Sequence, residues 1–199
     1  MSVHWLPAEG YNVFLLDYRG YGISEGKPGV KESVDDAEDA FRELLRRPDI
    51  DTIKVILFGQ SLGGAVAVNA AARDEVRKHI RGLIIDSAFS SFRQIARDKL
   101  SLFWLSYPFQ YPLSWLITAN YEPLDSIGKL APLPILMIHG QVDPIVPAYH
   151  SDLLFDAAHD PKEIWRVPGV GHIGSLRIPQ NRLRFLRYLE KILKNPVVK

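Results

Sequence analysis

Short apolar runs alternate along the chain with stretches whose apolar positions recur every three to four residues. The runs are residues 12–17 (NVFLLD), 54–59 (KVILFG), 82–87 (GLIIDS), 134–140 (PILMIHG) and 163–168 (EIWRVP). The first four are almost wholly apolar instead of alternating, as befits strands covered on both faces. Between them, Val34, Ala37, Phe41, Leu44 and Leu45 form one stripe at helical spacing, stopped by Pro48. The stretch after Ser61 is rich in small residues, which predicts a helix lying close against a sheet. Residues 149–158 predict another helix. Residues 179–194 predict a last one, with Leu183, Leu186, Leu189 and Leu193 on one face and basic residues on the others.

This alternation predicts one α/β domain over residues 1–199, with a mostly parallel sheet and helices on both faces. No repeat, low-complexity tract or linker divides the chain. Residues 100–121 carry no charge, yet Pro108, Gln110 and Pro112 stand in their middle. That argues for a small aromatic-rich cap, an insertion at about 89–121, and against a spanning helix.

Composition narrows the chemistry. Lys+Arg 24 against Asp+Glu 23 leaves a net charge of +1, so no electrostatic footprint points to nucleic acid. Zero cysteines excludes disulfides, thiolate metal sites and cysteine nucleophiles. It fits a reducing compartment, and the first residues lack the pattern of a signal peptide, so a cytoplasmic protein is expected. No H-E-x-x-H, P-loop or G-x-G-x-x-G motif is present, so neither metal nor cofactor is expected.

Residues 59–63 (GQSLG) match G-x-S-x-G between a predicted strand and a predicted helix, the context that motif requires. A nucleophile on so sharp a turn needs small neighbours, and glycine two positions either side of Ser61 is expected to remove a clash. The same turn would aim the Leu62 backbone N–H at a developing oxyanion. Ser61 needs a base. Of six histidines, His4 precedes the first predicted strand, His79 sits at a charged helix end and His150 and His159 fall in or beside a polar helix; all four read as solvated. His139 ends a strand and reads as part of the site's floor. His172, in the glycine-rich loop VPGVGHIGS after the last strand, is the candidate base. The orienting acid is Asp143, in a turn between Gly140 and Pro144, with Asp86 at the end of the preceding strand as runner-up. Either gives the order Ser, Asp, His.

Four segments, FLLDYRGYGISEGKP, LFGQSLGG, HGQVDPIVP and GVGHIGS, together resemble the α/β-hydrolase superfamily. They are most similar to its serine aminopeptidase-like branch and its bud-emergence-type hydrolases. The resemblance implies the α/β-hydrolase fold and two-step acyl transfer on a small acyl substrate, with Ser61 as nucleophile, Asp143 as acid and His172 as base. It also implies that residues 17–26 border the pocket and that Arg19 is structural. In such proteins a strand and an oxyanion loop stand before the segment equivalent to residues 2–22, so the chain reads as N-terminally truncated. The family's sheet order would put the missing strand between residues 12–17 and 54–59. Those two strands would then pair directly, recruit another chain through open edges, or mark a fragment of a longer protein. Loss of one oxyanion donor costs about a hundred- to a thousandfold in turnover, so a competent triad on a crippled scaffold is expected.

Two rival readings remain open. One is a non-catalytic hydrolase-fold binding protein. The other is a peripheral membrane protein, using the insertion and the basic last helix.

Overall fold

The computed structural model describes residues 3–102, 107–115 and 120–194. Four parallel strands form the sheet, β1 (Val55–Gln60), β2 (Ile80–Asp86), β3 (Ile135–Gly140) and β4 (Lys162–Val167), in the spatial order β1-β2-β3-β4. The helices are α1 (Val30–Arg46), α2 (Leu62–Ala71), α3 (Asp74–Arg77), α4 (Phe92–Ser101), α5 (Gln110–Trp115), α6 (Pro123–Ile127), α7 (Tyr149–Ala157) and α8 (Pro179–Lys194).

The apolar runs make strands because both faces are covered. Leu83 and Ile85 of β2, with Ile135 and Met137 of β3, pack among Phe41 of α1, Val68 of α2 and Leu154 of α7. The alternate residues Ile84, Leu136 and Ile138 pack on the other face against Phe185, Leu189 and Ile192 of α8. Each residue of these two strands therefore has an apolar neighbour whichever way it points, which is why the runs do not alternate. Residues 3–9 join the second layer through Val3 and Leu6.

Residues 12–17 depart from expectation. They form no strand, and Phe14 and Leu15 are 49% and 55% exposed. Nor do they pair with β1, whose ladder bonds all go to β2. Between segment and strand runs a groove of about 580 Å³, walled by Val13, Leu15, Ile56 and Phe58 among others. Strand formation needs a partner at about 4.8 Å, and here each backbone faces open space. The neighbouring loop is anchored instead by Arg19, whose backbone N–H and Nε both donate to Asp36 of α1 at 2.8 Å.

The described parts of the insertion are mostly helical. Its base, Phe89 and Phe92, packs edge to face (4.8 Å between ring centroids) beside Ala65 and Val146. Farther out, Tyr107, Phe109 and Tyr111 are more than half exposed, and none of the insertion's described residues lines the groove beside β1. Phe103 and Trp104, aromatic residues within the expected cap, lie outside the described residues, as does the side chain of Trp115. Among the described residues no helix is long and apolar enough to cross a membrane.

Candidate active site

The carboxyl ends of all four parallel strands fall at one edge of the sheet, and the loops that leave them bring the candidate residues together. Ser61 follows β1 directly and precedes α2. Its φ of 52° and ψ of −121° are strained for a residue with a side chain, and its backbone N–H is fixed by the Asp86 carbonyl at 2.9 Å. A Cβ on Gly59 would collide with the Gly63 carbonyl and stand 2.7 Å from Gly64 Cα, so only glycine fits there. Gly63 is a correction to expectation. A Cβ there would meet only the Tyr18 hydroxyl, at 3.7 Å, which is ordinary contact. The second demanding position is Gly64, where a Cβ would stand 2.6 Å from that of Ala88. The reason is the close seating of α2 on the loop after β2.

Asp143 lies in the turn after β3. Its Oδ1 accepts from the N–H groups of Ile145 (2.8 Å) and Val146 (2.9 Å), and its Oδ2 lies 2.7 Å from His172 Nδ1. Burial would raise this carboxyl's pKa. The hydrogen bonds from Val146, His172 and Ile145 outweigh that and hold it below the ordinary carboxylate range. The acid and base loops are also tied through backbone, Gln141 N–H to the Val167 carbonyl and Val142 N–H to that of Val170.

His139 lies in the floor. Its Nε2 is 2.9 Å from the Val146 carbonyl and 3.4 Å from Asp143 Oδ2, and its Nδ1 meets the Ser151 hydroxyl. Burial lowers its pKa, which keeps it neutral. Asp86, the runner-up acid, faces elsewhere. It accepts from Gln60 Nε2 at 2.8 Å and neighbours the Ser87 hydroxyl, and burial pushes its pKa up to about 6 against those two bonds.

Ser61 Oγ makes no hydrogen bond among the described residues, so the serine and the His172–Asp143 pair share an edge without a direct bond. Catalytic contacts commonly tighten only when substrate arrives. The Leu62 N–H, in the first turn of α2, also has no acceptor among the described residues. Among the described residues no group of three His, Cys, Asp or Glu side chains is disposed to hold a metal ion.

Three features escaped sequence reasoning. Ser87 (φ 54°) and Ile173 (φ 47°) share the left-handed backbone of Ser61, and the Ile173 N–H donates to Ser87 Oγ at 3.1 Å, bracing the turn beside His172. His150, expected to be solvated, is fully buried. Its Nδ1 receives the Ser90 hydroxyl at 2.8 Å and its Nε2 meets Asp98 of α4 at 2.9 Å, which clamps the insertion to α7. The Tyr18 phenol stands beside Gly63, and burial raises its pKa to about 12, so it keeps its proton. None of the three carries a local signal: they join residues 86 positions apart (Ser87 and Ile173), 60 and 52 apart (His150 with Ser90 and Asp98) and 45 apart (Tyr18 and Gly63).

A parallel sheet with helices on both faces, a strained serine between β1 and α2, and an Asp–His pair on the later loops define an α/β hydrolase. The chain belongs to the serine aminopeptidase S33 family, whose model matches residues 2–116. It is 34% identical over 171 residues to the protein YfhR of Escherichia coli, covering 86% of this chain and 56% of YfhR. It is 33% identical over 152 residues to the α/β-hydrolase domain-containing protein WAV2 of Arabidopsis thaliana, covering 74% of this chain and 48% of WAV2. The chain thus spans about half the length of these relatives. Among solved structures, an esterase from Pyrococcus furiosus superposes with a TM-score of 0.73 at 22% identity, over 96% of this chain and 74% of the esterase.

Proposed function

We propose that the chain is a serine hydrolase that cleaves carboxylic esters or thioesters through an acyl-enzyme on Ser61. The observation that carries this reading is the strained Ser61 elbow on the same sheet edge as the His172–Asp143 pair, whose hydrogen bond is 2.7 Å long.

His172 donates from Nδ1 to Asp143 and so presents Nε2 as the base. It takes the Ser61 proton as Oγ attacks the substrate carbonyl carbon. The tetrahedral oxyanion forms against the Leu62 N–H at the start of α2. His172 then returns the proton to the leaving alcohol or thiol, and water clears the acyl group by the same steps. Asp143, held below the usual carboxylate range, stays ionised and balances the imidazolium.

A fluorophosphonate probe tests this. Wild type labels, and Ser61→Ala and His172→Ala do not. Equal labelling of Ser61→Ala, or none of the wild type, overturns the reading in favour of a binding protein on the same fold. Short p-nitrophenyl esters then give the rate. Turnover about a hundred- to a thousandfold below that of an ordinary esterase would point to a missing second oxyanion donor beside the Leu62 N–H.

A further inference from the structure

A second groove, of about 520 Å³, opens at the other end of the sheet, where β2, β3 and β4 begin. Seven residues of β2 at about 3.3 Å each put it some 20 Å from Ser61. Its size is that of a small-molecule site. The floor is apolar, made by Ile80, Leu130, Leu133 and Ile192, and the Tyr188 ring stands at its side.

The rim is basic: Arg77, Lys78, Arg81, Lys162 and Lys191 stand against one acid, Glu163. Most of these charges are already engaged. Arg77 donates to Asp74 and to the Lys129 carbonyl, and Lys78 to Glu75. Lys162 caps the carbonyls of Phe155 and Ala158. Glu163 is occupied by the Trp165 indole and by Arg184. Two cations remain. Lys191 makes no ion pair among the described residues. Arg81 likewise makes no ion pair among the described residues, Asp51 being the acid whose charge it feels at longer range. Both side chains line the groove, so an anion seated there would meet their positive charge while its apolar part lies on the floor.

We propose that this groove binds a single-chain amphipathic anion, its carboxylate or phosphate head against Arg81 and Lys191 and its alkyl chain along Ile80, Leu133 and Ile192. The site uses no residue of the Ser61 edge, so it stands or falls apart from the hydrolase reading.

The test is titration of the 199-residue chain with octyl phosphate, octanoate, octyl glucoside and inorganic phosphate, followed by backbone amide shifts. Octyl phosphate or octanoate should shift residues 80–83 and 189–192, and which binds tighter identifies the head group. Octyl glucoside and inorganic phosphate should each bind at least about tenfold more weakly, since each lacks half of the ligand. Arg81→Gln should weaken the better anion about tenfold or more. Lys191→Gln, on the exposed face of α8, provides the same reading should Arg81→Gln fail to fold. Shifts confined to residues 61–64 and 172, equal binding of octyl glucoside or of inorganic phosphate, or unchanged affinity in both variants would overturn the proposal.

Discussion

Strand β3 and residues 12–17 are apolar runs of the same length with opposite fates. Every residue of β3 is buried, between β2 and β4 in the plane and two helical layers above and below. Residues 12–17 carry four apolar side chains in a row, yet Phe14, Leu15 and Leu16 are each more than a third exposed and no ladder forms. The difference lies in the company each keeps. A strand needs at least one neighbour to bond its backbone, as even the edge strands β1 and β4 have, and an apolar run supplies none itself. Side-chain chemistry specifies which faces want cover; partners decide whether a strand exists.

The contrast can be broken most sharply by truncation. Met137→Ala, in the middle of β3, should lose about 2–5 kcal/mol in urea unfolding, because it empties space on a face that cannot collapse. A loss below 1 kcal/mol there would mean that the interior is loosely packed and that the two runs differ less than their burial suggests.

Charge sharpens the same point. Asp86 ends β2, the strand beside β3, and is itself fully buried, with its pKa raised from 3.8 to about 6. Between those values the folded chain holds a proton that the unfolded chain has released. Stability therefore falls as pH rises through that window and is level above it. At about 1.4 kcal/mol per pH unit the loss approaches 3 kcal/mol. Asp86→Asn should remove this slope and leave the variant more stable than wild type at pH 8 and little changed at pH 4, as read by unfolding midpoints.

The smallest effect belongs to the unpaired run. Leu15→Ala should change stability by less than about 0.5 kcal/mol, the range of ordinary surface substitutions. A cost comparable with that of Met137→Ala would show that residues 12–17 are covered in solution.

Much of this molecule was legible in its residues. The runs at 54–59, 82–87, 134–140 and 163–168 lie within a residue or two of β1 to β4, because two covered faces leave a continuous apolar signature. The run at 12–17 carries that signature too, and was misread because pairing is not written locally. At the site, the elbow was legible from spacing, since strand, glycine, serine and helix are adjacent in the chain. His172 and Asp143 could be named from their loops. The buried His150 could not, because its partners, Asp98 of α4 and Ser90 of the loop before it, are distant in the chain and its own neighbourhood reads as polar. Gly64 hid behind the motif: the demanding contact is with Ala88, beyond any pattern within five residues.

The three left-handed residues at the sheet's carboxyl edge, Ser61, Ser87 and Ile173, leave reserve stability in the molecule. Glycine adopts such angles freely, so its substitution at 173 relieves strain of about 1–3 kcal/mol, whereas at 87 it would also remove the hydroxyl that braces the turn. Breeding for heat tolerance alone would therefore drift toward glycine at this edge and blunt the chemistry as it went. Breeding for turnover would resist that drift, and heat resistance would have to come from the far end of the sheet.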